Sequence, residues 1–299
     1  MVNLIGSRAL LERFSQFIDP EVEEIFEIGQ YLIKAGGKAL RPTLLLMTCE
    51  SFGYDPSFAL QLAAGIEFIH LASLLHDDVV DGATLRRGIK SANLVFGNEA
   101  CVLAGDYLYA KALELYANFG NLEAIRILSR AVMDMSQGQL LELRSLGKVL
   151  NKEEYFRIID LKTGALFASS LQIGALISGQ EGHSKLYKAG VYLGRAFQIV
   201  DDVLDYEGDE SKLGKRVGSD LREGKCTLPL ICAEGALKDF TFPPDDPEAL
   251  RLRVIELGGT KLAKEIAKEE LSKAFNILLE FKELESLTKF LRGLIERES

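Results

Sequence analysis

The sequence contains no tryptophan, three histidines, four cysteines and seven prolines among 299 residues. Cys49, Cys101, Cys226 and Cys232 show no paired ligand spacing, so they read as reduced and mostly buried thiols rather than as a metal knot or a disulfide framework. Positive charge is also short. With 35 Lys and Arg against 44 Asp and Glu, the net charge of −9 leaves no electrostatic footprint for nucleic acid, and no Lys/Arg block suggests a membrane-surface helix. Any anionic ligand must therefore be held by local groups or by metal. The opening MVNLIGSRALLERFSQ has no basic region followed by an apolar stretch, so no signal peptide is expected. The longest charge-free stretch, 163–180, carries Ser, Gln and Gly and is too polar to read as a membrane span. A cytoplasmic protein without an integral membrane segment is the expectation.

Strand signals are nearly absent, and the prolines explain what replaces them. Pro20, Pro42 and Pro56 lie early, Pro229, Pro243, Pro244 and Pro247 lie late, and none falls in 57–228. A stretch that long without a helix breaker permits long helices. Within it apolar residues recur at three and four, as in Leu60, Ala63, Ala64, Leu71, Leu74 and Leu75, which is a helical period. Asp19 before Pro20, Asp55 before Pro56, and Asn151 with Glu154 supply start signals. The spacing predicts helices near 20–34, 39–53, 56–80, 98–118, 122–146, 152–178, 183–206, 226–238, 247–256, 260–280 and 284–297. Polar loops are expected at 82–97, 207–225 and 240–247. No composition shift divides the chain, so one all-α domain over 1–299 is expected.

Two stretches carry the same unusual pattern. Asp77, Asp78 and Asp81 form a DDxxD, and Asp201, Asp202 and Asp205 form another 124 positions later. On a helix, positions i and i+4 share a face, so each cluster sets like charges together near a helix C-terminus, where the dipole disfavours them. That cost calls for a counter-ion. Mg²⁺ suits it, because Mg²⁺ prefers oxygen ligands and is commonly held by one or two carboxylates plus substrate phosphates. Basic residues lie close by in sequence: Lys38 and Arg41 in GGKALRP, Arg86 and Arg87 one short loop after the first cluster, Lys162 in KTG, and Lys215 and Lys225 flanking the second loop. Paired glycines beside cations fit close approach of a phosphate.

In these residues the chain resembles the trans-isoprenyl diphosphate synthases, or polyprenyl synthetases. The resemblance runs through GGKALRP (36–42), HLASLLHDDVVDGATLRRG (70–88), KTGALF (162–167), FQIVDDVLD (197–205) and GKRVGSDLREGKCTLPL (214–230). It implies a barrel of about ten or more antiparallel helices around a deep apolar cavity, a homodimer, and transient membrane contact during product release. It implies that Asp77, Asp81 and Asp201 bind Mg²⁺, three ions per active site with substrate bound, supported by Asp78, Asp202 and Asp205. Arg86, Lys162, Lys215 and Lys225 would hold an allylic diphosphate, and Lys38, Arg41, His70 and Arg87 the diphosphate of isopentenyl diphosphate. The backbone of Thr163 and the amide of Gln198 would face the allylic carbon where positive charge develops. His76 and His183 read as structural.

Product length in this family follows the depth of the cavity beneath the first cluster. Ser73 and Ala72, four and five residues before Asp77, are small where short-chain members place bulky aromatics. Ser73 lies one turn below Asp77 on nearly the same face, and Ala72 about 100° further round. The resemblance then implies a long-chain product of roughly C30 to C50, C40 first. A short-chain (C15 or C20) synthase, a terpene cyclase and a non-catalytic subunit of a heteromeric synthase are the alternatives. The full second DDxxD argues against a cyclase and the complete set of six aspartates against a non-catalytic subunit.

Overall fold

The start of the longest early helix follows directly from its sequence. Asp55 caps it by accepting from the Ser57 amide at 2.8 Å, and Pro56, which has no N–H to lose, occupies the first turn. The computed structural model describes residues 6–208 and 217–296. Among them the fold is all-α, and the only sheet is a two-residue hairpin.

In chain order the first ten helices are α1 (Ser7–Phe14), α2 (Glu23–Lys34), α3 (Leu40–Ser51), α4 (Pro56–Val80), α5 (Ala92–Phe96), α6 (Asn98–Phe119), α7 (Leu122–Ser145), α8 (Lys152–Ile159), α9 (Ala165–Ile177) and α10 (His183–Glu207). Short helices Ser219–Arg222 and Leu228–Cys232 follow, then Pro247–Glu256, Gly259–Leu278 and Glu285–Glu296. The described residues pack as two compact units, one formed by 6–130, 169–187 and 278–296, the other by 131–168, 188–208 and 217–277.

The helix pattern departs from the sequence reading at several places, each with a physical cause. Asp19 does not cap a helix at Pro20, because Lys111 on α6 takes its carboxylate at 2.6 Å; α2 begins only at Glu23. The expected helix 152–178 is interrupted by one π-helical turn, Asp160–Gly164, between α8 and α9. The expected helix 226–238 ends at Cys232 and resumes as a 3₁₀ turn after Gly235, whose φ of +79° breaks it. Helix α1 was not expected; it buries Leu10, Leu11 and Phe14. In the loop 82–97, Leu85–Arg86 pairs antiparallel with Ile89–Lys90. Arg87 and Gly88 turn the hairpin with φ of +51° and +79°, the positive pair that a type I′ turn requires.

In the first unit, α4 is a core helix. It is long and apolar enough to cross a bilayer, which the sequence reading did not single out, yet 67% of its most apolar window is buried inside the protein. Gly65 lets α6 approach it, since a Cβ there would stand 2.7 Å from the buried Tyr116 ring.

In the second unit, α8 is launched by the expected capping box. Glu154 N–H donates to Asn151 Oδ1 and Asn151 N–H to Glu154 Oε2, both at 2.9 Å. Helix α7 meets the π turn at Gly138, where a Cβ would lie 2.4 Å from the Lys162 backbone nitrogen and 2.8 Å from its Cα. Main-chain atoms on both sides cannot yield as a flexible side chain would. Gly138→Ala is therefore expected to cost about 1–3 kcal/mol through overpacking, read as a lowered Tm; a melt within about 1 °C of the parent would contradict this contact.

Candidate functional site

The six aspartates do not share one environment. Asp77 is half-buried in the last turn of α4, and Asp81, its C-cap, is exposed. Asp78 is turned inward and fully buried, where the Arg86 guanidinium donates from Nε at 2.8 and 2.9 Å and from Nη2 at 2.5 Å. Three positions on α10 repeat the division. Asp201 is exposed, whereas Asp202 and Asp205 are buried. Asp202 accepts from the Tyr155 hydroxyl at 2.6 Å and from Gln198 Nε2 at 2.9 Å. Asp205 accepts from the Ser219 hydroxyl at 2.5 Å and from the Asp220 amide at 3.0 Å, which ties the following loop to α10. Asp81 and Asp201 are thus exposed and Asp77 half-buried, while Asp78, Asp202 and Asp205 are buried and accept from named internal donors.

Among the described residues no three His, Cys, Asp or Glu side chains converge on a metal position. Carboxylate oxygens such as those of Asp77, Asp81 and Asp201 are hard donors of the type that Mg²⁺ prefers.

In the first unit, a cationic group gathers around α4. Arg41, in the first turn of α3, brings Nη1 to 3.5 Å from His70 Nε2. The run preceding it is tightly turned, with Gly36 at φ +80° and Ala39 at +45°. Arg87 lies against Gly37, where a Cβ would meet its guanidinium nitrogens at 2.8 and 3.0 Å. Lys38 is exposed. Glu67, three residues before His70 and so on the same face of α4, is a buried carboxyl that the sequence reading missed. Desolvation pushes it up to about 7, against the pull of Arg41 and Arg87. Desolvation, with Arg87 beside it, brings Arg41 down to about 10. Burial and the flanking Arg41, Arg87 and Arg86 hold His70 well below its ordinary value, so it is neutral at pH 7. The expected chain-length positions differ from each other. Ala72 has no accessible surface, whereas Ser73 is half-buried and donates its hydroxyl to the His70 carbonyl at 2.8 Å. His76 stays out of this group, with Nε2 3.1 Å from the Val102 carbonyl and its ring against Tyr109.

In the second unit, the π turn displays Lys162 and Thr163. Lys162 Nζ contacts Glu142 on α7, one turn beyond Gly138. Lys225 pairs with Glu223 at 2.7 Å. Burial alone would lower the Lys225 ammonium, but Glu142, Glu223 and Asp220 outweigh it and raise it, so it stays charged. Glu142 serves both lysines and had no signal in the sequence. The Thr163 hydroxyl donates to Gln198 Oε1 at 2.8 Å. Lys215 lies outside the described residues.

Residues 22–239 match the family model described as polyprenyl synthetase. Over 228 residues the chain is 41% identical to octaprenyl diphosphate synthase of Escherichia coli (strain K12), covering 75% of this chain and 69% of that protein. It is 36% identical over 273 residues to a short chain isoprenyl diphosphate synthase of Methanocaldococcus jannaschii, covering 89% and 80%. The crystal structure of polyprenyl synthase from Caulobacter crescentus CB15, complexed with calcium and isoprenyl diphosphate, superposes with a TM-score of 0.85 at 35% identity over 92% of each chain.

Proposed function

The chain belongs to the polyprenyl synthetase family and is a trans-prenyltransferase, and we propose that it extends farnesyl diphosphate with isopentenyl diphosphate, head-to-tail and in trans, to a long-chain polyprenyl diphosphate of roughly C30 to C50. The best single product is C40. The observation that carries the reading is the division of the aspartates: Asp77, half-buried, and Asp81 and Asp201, exposed, keep surface that a diphosphate-bound cation could reach, and each buried one is braced by a named donor. The name of the octaprenyl relative supports the product class. The wider alignment with the short-chain relative favours a second reading, a C15 or C20 product.

Asp77, Asp81 and Asp201 would hold Mg²⁺, which when bound offsets the charge of the leaving pyrophosphate. Lys162, Lys225 and Arg86 hold that diphosphate, and Glu142, Glu223 and Asp78 fix their positions beforehand. Lys38, Arg41, neutral His70 and Arg87 bind isopentenyl diphosphate. The allylic C–O bond breaks, the double bond of isopentenyl diphosphate attacks the cation, and the proton then lost goes to the departing pyrophosphate. No side chain acts as nucleophile. The Gln198 carbonyl and the Thr163 backbone stabilise the cation as electrostatic partners fixed in advance. We place the chain in the cytoplasm as a homodimer, with membrane contact only during product release.

The test is incubation of the purified chain with farnesyl diphosphate, labelled isopentenyl diphosphate and Mg²⁺, followed by chain-length analysis. A product between C30 and C50 is expected; accumulation that stops at C15 or C20 would sink the long-chain assignment.

A further inference from the structure

Four side chains of the second unit form one continuous hydrogen-bonded line: Thr163 to Gln198 at 2.8 Å, Gln198 to Asp202 at 2.9 Å, and Tyr155 to Asp202 at 2.6 Å. Gln198 and Asp202 are four apart on α10 and therefore share a face. Tyr155 comes from α8. Its ring is packed with Ile159, Ile199, Val203 and Leu228, so the core decides where the hydroxyl stands.

The chemistry of the donors and acceptors fixes the direction of the line. Gln198 turns its NH₂ to Asp202 Oδ1 and its carbonyl to the Thr163 hydroxyl, the orientation in which an amide donor meets a carboxyl oxygen acting as acceptor. That carbonyl oxygen keeps a second lone pair. A carboxamide rotated by 180° would set oxygen against oxygen at Asp202 and turn N–H groups the other way. Asp202 can impose this choice only while it is itself held, and its second oxygen is held by Tyr155 alone among the contacts described above.

We propose that Tyr155 is a positioning residue for prenyl transfer: by anchoring Asp202 it fixes the Gln198 carboxamide with its carbonyl as the end offered to positive charge. The inference rests on the reading above that places Gln198 at the reacting allylic carbon. A dipole already aligned needs no reorganisation when the cation forms, so its loss should appear in the rate of condensation more than in substrate affinity.

Tyr155→Phe removes the hydroxyl and keeps the ring. Single-turnover condensation of farnesyl diphosphate with isopentenyl diphosphate should slow by about tenfold or more, with KM for the allylic substrate within about twofold. In a Gln198→Ala background the same substitution should change the rate by less than about twofold. A loss of equal size in both backgrounds, or none in either, overturns the proposal. A second readout is independent of turnover. In protein labelled with ¹⁵N-glutamine, the Gln198 NH₂, identified by its disappearance in Gln198→Ala, should exchange slowly with solvent and at least about tenfold faster in Tyr155→Phe. Equal exchange overturns the relay, and should the variant not fold, an unprotected Gln198 amide in the unmutated chain does the same. If the exchange difference is present while Gln198→Ala turns over at the parent rate, the placement of Gln198 at the reacting carbon fails instead.

Discussion

Replacing Asp77 or Asp201 by Ala is expected to lower Mg²⁺-supported turnover by about a thousandfold or more while moving Tm by no more than about 2 °C. Asp201 is exposed, Asp77 is half-buried, and each lies one helical turn from a second aspartate. Removing one such charge eases like-charge repulsion at the end of a helix and costs little stability. The opposite signature is expected at the buried three. Asp78→Ala strands the Arg86 guanidinium, Asp202→Ala leaves the Tyr155 hydroxyl and the Gln198 amide unpaired, and Asp205→Ala releases Ser219 and the Asp220 amide. Each leaves buried or half-buried donors without an acceptor, at about 1–3 kcal/mol and a fall of several degrees in Tm. Thermal melts and saturating kinetics on all five variants check the division. Near-parental rates in both Asp77→Ala and Asp201→Ala would remove the metal assignment, and an equal fall in Tm across the set would remove the distinction between ligand and brace.

That division shows how far the sequence could be read. The DDxxD spacing located both clusters, and 100° per residue turns Asp78 away from Asp77 and Asp202 away from Asp201, so two of the three buried positions follow from helix geometry. Asp205 does not. It stands to Asp201 as Asp81 stands to Asp77, yet Asp81 ends its helix and is exposed, whereas Asp205 is covered by a chain that returns at Gly218, whose amide meets the Asp205 carbonyl at 2.6 Å. Identical local patterns met different loops. The boundaries at Asp55–Pro56 and Asn151–Glu154 were legible because the caps are local. The cap expected of Asp19 failed because Lys111, 92 positions away, competes for the same carboxylate. The π turn at 160–164 was equally hidden, since the residue it meets closely is Gly138 on another helix. Glu67, Glu142 and Tyr155 were missed for the same reason: each is defined by partners that only the fold assembles.

Ser73→Phe is expected to convert the long-chain product distribution to one dominated by C20 or shorter. On the long-chain reading, the small side chains of Ala72 and Ser73 leave the cavity below Asp77 open, and an aromatic ring placed there should stop the growing chain. The structure separates the two positions. Ser73 keeps accessible surface and shares the face of Asp77, and the only bond it gives up is a donation to the His70 carbonyl in its own helix. A phenyl group there starts from a position that keeps accessible surface and should leave Tm nearly unchanged. Ala72 has no accessible surface at all. A ring at that position must push packed neighbours aside, at about 1–3 kcal/mol, so any shortening by Ala72→Phe should arrive together with a lowered Tm. Product chain length and thermal melts on the two variants therefore answer different questions. A shortened product from a stable Ser73→Phe protein places the passage beside that residue. An unchanged product from both variants would separate chain length from these positions, and the product would then have to be limited by side chains elsewhere.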